Sequence, residues 1–233
     1  MKKTLRILRP PHEAGGGLGK SRIEAFSDGV FAVAITLLAL EIKVPEAAAG
    51  RSLTEQLGAL WPQFASYILT FFIVGVYWVA HHLMLAAAKR IDKTLLWLNL
   101  LFLMCIVLIP FSAQLLGQHS RVPVAVMAYG ANLVVSSLAL ILIWNRIVTC
   151  LLAPHTSPLL VRLAYSRTAW AMVIYGLAIL LAFWNTQVSL TLYWLGPISY
   201  MFLQISGDRF HRKHAEKDSR LAAPNSASES IAR

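Results

Sequence analysis

The chain has 233 residues, of which 57% are hydrophobic and only 14% charged, with a mean hydropathy of +0.60. Water-soluble chains carry about a quarter charged residues, so a single soluble core is excluded and one integral membrane domain is the economical solution. The formal net charge of +10 raises nucleic acid as a partner, but the basic residues follow a membrane topology and no nucleic acid is expected.

Residues 1–20 hold Lys2, Lys3, Arg6, Arg9 and the run Gly15 to Gly17, which predicts a flexible basic cytosolic N-terminus. They contain no apolar run followed by a small-residue cleavage site, so no cleaved signal peptide is expected. The first apolar span follows, from about Ser21 to Val44, and carries no charge between Gly29 and Leu40. At ~1.5 Å per residue it is long enough to cross a hydrocarbon core of ~30 Å. Phe26, Gly29, Val33, Thr36, Leu37 and Leu40 recur at steps of three or four and form one helical stripe, apolar except for a hydroxyl. Such a stripe ordinarily packs on a neighbouring helix. Pro45 ends the span, and a loop of mixed charge, Glu46 to Glu55, is expected outside.

The second span is read from about Trp61 to Ala88, with Pro62 in its first turn, and closes on His81 and His82 before the basic turn Lys89 to Lys93. The third, Leu95 to about Leu116, contains Pro110, which should kink it or mark its final turns. The fourth covers about Val122 to Ile147, and a linker with Pro154, Pro158 and Arg162 follows. The fifth spans about Ala164 to Trp184 and the sixth about Val188 to Ile205, joined by Asn185-Thr186-Gln187, which implies an antiparallel hairpin. The charged and then Ala/Ser/Pro-rich tail, 207–233, is expected to be disordered and cytosolic, leaving 21–206 as one transmembrane domain.

Six Lys or Arg precede the first apolar core, three lie between the second and third spans, three between the fourth and fifth, and six in the tail. Only Lys43, Arg51 and Arg121 fall on the other side. That split of 18 to 3 predicts six spans with both termini in the cytosol.

The sequence Arg22-x-x-x-Phe26-Ser27-Asp28, followed by Ala34-Ile35-Thr36-Leu37-Leu38, resembles the signature of the transmembrane protein 175 family, the lysosomal and bacterial potassium channels. The likeness continues in Gly75-x-Tyr77-Trp78-x-x-His81-His82, in Ile91-Asp92-x-x-Leu95-Leu96-Trp97-Leu98-Asn99-Leu100-Leu101, and in Pro110-Phe111 through Leu115-Leu116-Gly117. It is sharp over the first three spans; the last three agree only in number and length. The resemblance implies an all-α integral membrane protein of six transmembrane helices per subunit, the first lining a central pore in a homotetramer. It places Val33, Thr36, Leu37 and Leu40 on the pore side, with potassium as the permeant ion in a cell membrane. No filter of the Thr-Val-Gly-Tyr-Gly kind is present, so apolar rings and four Thr36 hydroxyls would have to gate and select.

An ionisable residue at the edge of the hydrocarbon is costly unless paired, so Arg22, Ser27 and Asp28 are expected to meet the cytosolic ends of the next two spans, where His81, His82 and Asn99 lie. Two readings compete. One is a structural network, with Phe26 in the same motif, that fixes the tilt of the first helix; the resemblance favours it. The other is a proton relay through Asp28 and His81 in a proton-coupled secondary transporter. Adjacent histidines point about 100° apart on a helix, so no metal site is expected, and no cofactor is implied. Ser27 and Asp28 come without a nucleophile elbow or oxyanion glycine, so an enzyme is not expected. Glu41, near the outer end of the first span, is a weaker candidate for concentrating cations, if it does not pair with Lys43.

Overall fold

The computed structural model describes residues 19–43, 52–154 and 156–201, and these form a bundle of helices. Helix α1 covers Lys20–Leu40, α2 Leu53–Ala59, α3 Trp61–Ala86, α4 Lys93–Gln118, α5 Pro123–Arg146 and α6 Pro158–Leu181. A last helix, α7, occupies 186–201 of the described residues. Five of these segments are long and apolar enough to cross a membrane, α5 being counted with its π-helical continuation Ile147–Leu151. The expected tail 207–233, most of the basic N-terminus and most of the first loop lie outside the described residues.

Local chemistry sets the boundaries. Asp92 caps α4 by accepting from the Leu95 N–H at 2.8 Å, and the helix therefore starts at Lys93, two residues before the sequence-based limit. Pro158 occupies the first turn of α6, where a missing N–H costs nothing, so that helix begins six residues earlier than Ala164 and absorbs part of the expected linker. Asn185 accepts from the N–H groups of Gln187 and Val188, which closes the turn between α6 and α7. The predicted loop to Glu55 is corrected as well: Ser52 and Glu55 form a reciprocal capping box that nucleates α2. Lys20, expected in the flexible N-terminus, is already helical. Pro110 lies inside α4, which continues for two further turns to Gln118.

Helix α4 stands at the centre, packed on α1, α3 and α5, while α5 carries α6 on its other side. Polar bonds stitch the interior: Thr70 to the Tyr129 hydroxyl at 3.0 Å, and the Tyr77 hydroxyl donating to the Leu133 carbonyl at 2.7 Å. Helix α7 is held by the Tyr193 hydroxyl donating to the Val126 carbonyl and by Ser189 donating to the Ala178 carbonyl. That approach requires glycine at 130, because a Cβ there would stand 2.1 Å from the Tyr193 oxygen.

Candidate functional site: helix α1 and its polar anchor

The face of α1 that packs inward consists of Ile23, Ser27, Phe31, Ala34 and Leu38. These residues recur at steps of three and four and lie against α3 and α4. The opposite stripe is left uncovered by the chain: Val33 is 57% exposed and Leu40 74%, with Phe26, Gly29, Thr36 and Leu37 exposed beside them. Thr36 donates its hydroxyl proton to the Val33 carbonyl at 2.9 Å, a bond within its own helix that leaves oxygen lone pairs free to face outward.

The polar anchor has two branches. In the buried one, Asn99 of α4 donates its amide to the Ser27 hydroxyl at 3.1 Å and meets His81 Nε2 of α3 through its Oδ1 at 2.7 Å. Ser27, His81 and Asn99 are each no more than 2% exposed, so this chain satisfies polar groups that would otherwise be unpaired in the bundle. Phe31 and Phe102 flank the His81 ring, with centroids 5.8 and 5.2 Å away, and complete the packing.

In the outer branch Asp28 accepts from the Trp78 indole N–H at 2.8 Å, and His82 stacks on that indole at 5.9 Å. Asp28 is exposed in the single chain rather than buried, and its carboxylate bonds Trp78, not His81. Arg22 and Phe26 are exposed in the single chain, and among the described residues no hydrogen bond or ion pair joins Arg22 to either branch. Inward and outward positions alternate so closely on the first turns of α1 that Ser27 is packed while its neighbours on either side are not.

Two contributors were missed by the sequence reading. Trp78 stands in the motif of the second span without an assigned role, although its indole N–H is a donor that needs a partner and could have signalled the bond to Asp28. Lys20 donates to the carbonyls of Ala86 and Ala88 at 3.0 and 2.9 Å, capping the end of α3, with Glu24 at 3.8 Å. Beside it, residues 87–89 pair with 151–153 through an isolated antiparallel bridge, and Arg146 grips Asp92. At the opposite end of α1, Glu41 forms no ion pair with Lys43 among the described residues; it borders a small crevice with Gln63, Gln114 and Gln118. No group of three or more His, Cys, Asp or Glu fit to hold a metal occurs among the described residues.

Fold and anchor together define an all-helical integral membrane protein in which the first helix is tied into the bundle by buried polar bonds and presents an unpartnered apolar face. The family model for the endosomal/lysosomal potassium channel TMEM175 matches residues 22–110, the stretch that contains the anchor. A potassium channel of Streptomyces collinus is 36% identical over 190 residues, covering 79% of this chain and 92% of its own. The mouse endosomal/lysosomal proton channel TMEM175 is 38% identical over 115 residues, 46% of this chain and 23% of that one. Among solved structures, a lysosomal potassium-selective channel TMEM175 homologue from Chamaesiphon minutus superposes with a TM-score of 0.72 at 30% identity, over 78% of this chain and 96% of that one. The chain belongs to the TMEM175 family, which is a family of channels and not of enzymes.

Proposed function

We propose that this protein is a subunit of a homotetrameric potassium channel whose pore is lined by α1 through Val33, Thr36, Leu37 and Leu40. The observation that carries the proposal is the division of α1 into a face anchored on α3 and α4 and an apolar face with no partner in its own chain. Four such faces around one axis would give apolar rings that gate by dewetting, and four Thr36 oxygens that replace part of an ion's hydration shell. The names borne by the bacterial relatives support potassium as the permeant ion. Helix α7 is taken as the sixth span, so that 21–206 forms the channel domain and 1–20 and 207–233 are cytosolic tails.

The charge asymmetry supports a cell membrane setting with both termini in the cytosol. Serine 27, Asn99 and His81 then hold the cytosolic half of the pore helix at a fixed tilt, and Glu41 stands near the outer mouth. The proton-coupled transporter has less support, because Asp28 and His81 lie on separate branches of the anchor.

Planar-bilayer recording of the purified protein tests the channel. Unitary potassium currents are expected; coupled flux without them would replace the channel by the transporter. Cysteines introduced at Ser52 and Ser226 should label from opposite sides of the membrane, and same-side labelling would end the six-span topology.

A further inference from the structure

At the end of the bundle opposite Lys20, a groove of about 250 Å³ lies between α3 and α7. Its base is formed by Leu190 of α7 over Leu69 and Leu116, core residues that are only 1% exposed, with the buried Ser66 beside them. Trp61 and Trp194 line its sides, and Arg121 stands at its rim with Gln187. From Trp61 to Leu69 on α3, and from Gln187 to Trp194 on α7, the groove follows each helix for roughly 10 Å at 1.5 Å per residue. It therefore descends from headgroup depth into the hydrocarbon.

We propose that this groove is a binding site for one membrane glycerophospholipid per subunit, its phosphodiester on Arg121 and one acyl chain on the leucine floor. Three features select that ligand. A guanidinium with no carboxylate partner among the described residues matches one phosphate and offers a bidentate fork for it. An indole favours the level at which headgroup meets acyl chain, and Trp61 stands at the upper end of the groove. The serine at the base already donates to the Ala113 carbonyl, so the surface along Ala65, Leu190 and the indoles suits an acyl chain better than a free anion. One arginine serves one phosphate, so a single-phosphate lipid is favoured over a bis-phosphate one. The ligand would also fill the gap between α3 and α7, which the chain itself leaves open.

Native mass spectrometry of the intact assembly, released from micelles doped with phosphatidylglycerol or with phosphatidylcholine, tests the site. The wild type should retain one phospholipid per subunit with either lipid. Arg121→Gln should raise the lipid concentration needed for half-occupancy about tenfold, the loss of a charge-assisted contact. Ala65→Phe, which fills the groove without changing its charge, should lower occupancy while leaving the unfolding temperature in lipid-free detergent unchanged. Should that variant fail to fold, Arg121→Gln, in a short exposed connection, carries the test alone. Equal lipid retention by the wild type and Arg121→Gln overturns the proposal. So does stabilisation of the wild type, but not of Arg121→Gln, by inorganic phosphate in lipid-free detergent, which would make this a free-anion site. Dissociation of the assembly by Arg121→Gln with the lipid count intact overturns it too, and assigns the groove to contact between copies.

Discussion

One face of α1 sets Ile23, Ser27, Phe31, Ala34 and Leu38 against α3 and α4, while the other carries Phe26, Val33, Thr36, Leu37 and Leu40 without a partner inside the chain. In a soluble protein the more apolar face would be the buried one. Here both faces carry large apolar side chains, Ile23, Phe31 and Leu38 on one and Phe26, Leu37 and Leu40 on the other, and the packed face is the one that also contains a serine hydrogen-bonded into the link with Asn99 and His81. Lipid tails are as apolar as leucine, so hydrophobicity does not choose which face packs; close fit and polar bonds that have no alternative partner in hydrocarbon do. The anchored face thereby fixes α1, and the opposite face is free to serve another purpose.

The sharpest way to break this contrast is to remove the central polar link. Asn99→Leu leaves the Ser27 hydroxyl and the His81 ring, 1% and 2% exposed, without their shared partner. Each such buried group costs about 1–3 kcal/mol, so the variant should lose roughly 2–6 kcal/mol in denaturant unfolding of the detergent-solubilised protein. An unchanged midpoint would remove the anchor's structural role.

The opposite face should respond in conduction and not in subunit stability. Leu40→Ala, at a position 74% exposed, should raise single-channel conductance by widening an apolar ring, and Leu40→Asn should raise it by wetting the ring without needing more width. Thr36→Val preserves shape, removes the hydroxyl and should shift the potassium-to-sodium permeability ratio under bi-ionic conditions. Ile35→Val, on a half-buried position, is the control. If the control alters permeation while Leu40 and Thr36 do not, the pore face has been misassigned.

A smaller effect is expected where α1 begins. Lys20→Met withdraws two hydrogen bonds from the end of α3, at Ala86 and Ala88, and should cost about 1 kcal/mol. Hydrogen exchange should quicken in the last turn of α3 and not in the midspan of α1.

The smallest expected effect depends on pH. Partial burial pushes the Asp92 carboxyl up, but the Arg146 guanidinium and the Leu95 N–H outweigh it and hold the group below its ordinary 3.8. A carboxylate with a depressed folded-state value stabilises the fold above the ordinary value and loses that contribution as pH falls through the lower one. The unfolding temperature of the wild type should therefore drop below about pH 4 more steeply than that of Asp92→Asn, which lacks the titrating group. Parallel profiles would remove Asp92 from the account.

Much of the site was legible because its signals are local. The long uncharged runs, the charge asymmetry and the cluster Ser27, Asp28, His81 and Asn99 could be read by counting residues, and Asn185 and Pro158 act on the helix turns next to them. Boundaries drifted where a cap was overlooked, as at Ser52 and Asp92, since one side-chain bond decides where a helix starts. The split of the expected network into two branches depended on rotations of about 100° between consecutive helical residues, which send Ser27 inward and Asp28 outward.

By itself the sequence determined that this chain lives in a membrane, roughly where five spans fall and which polar residues have to find partners, because length, hydropathy and burial cost are properties of short segments. Tertiary structure alone decided that Trp78 takes Asp28 while Asn99 takes Ser27 and His81, that Lys20 caps α3, and that α3 and α7 part to leave a groove above Leu69. These pairings join residues far apart in the chain. In a bilayer an apolar stripe satisfies lipid, a pore or a neighbouring helix equally well, so periodicity proposes the faces of α1 and only the packed bundle says which of them is covered.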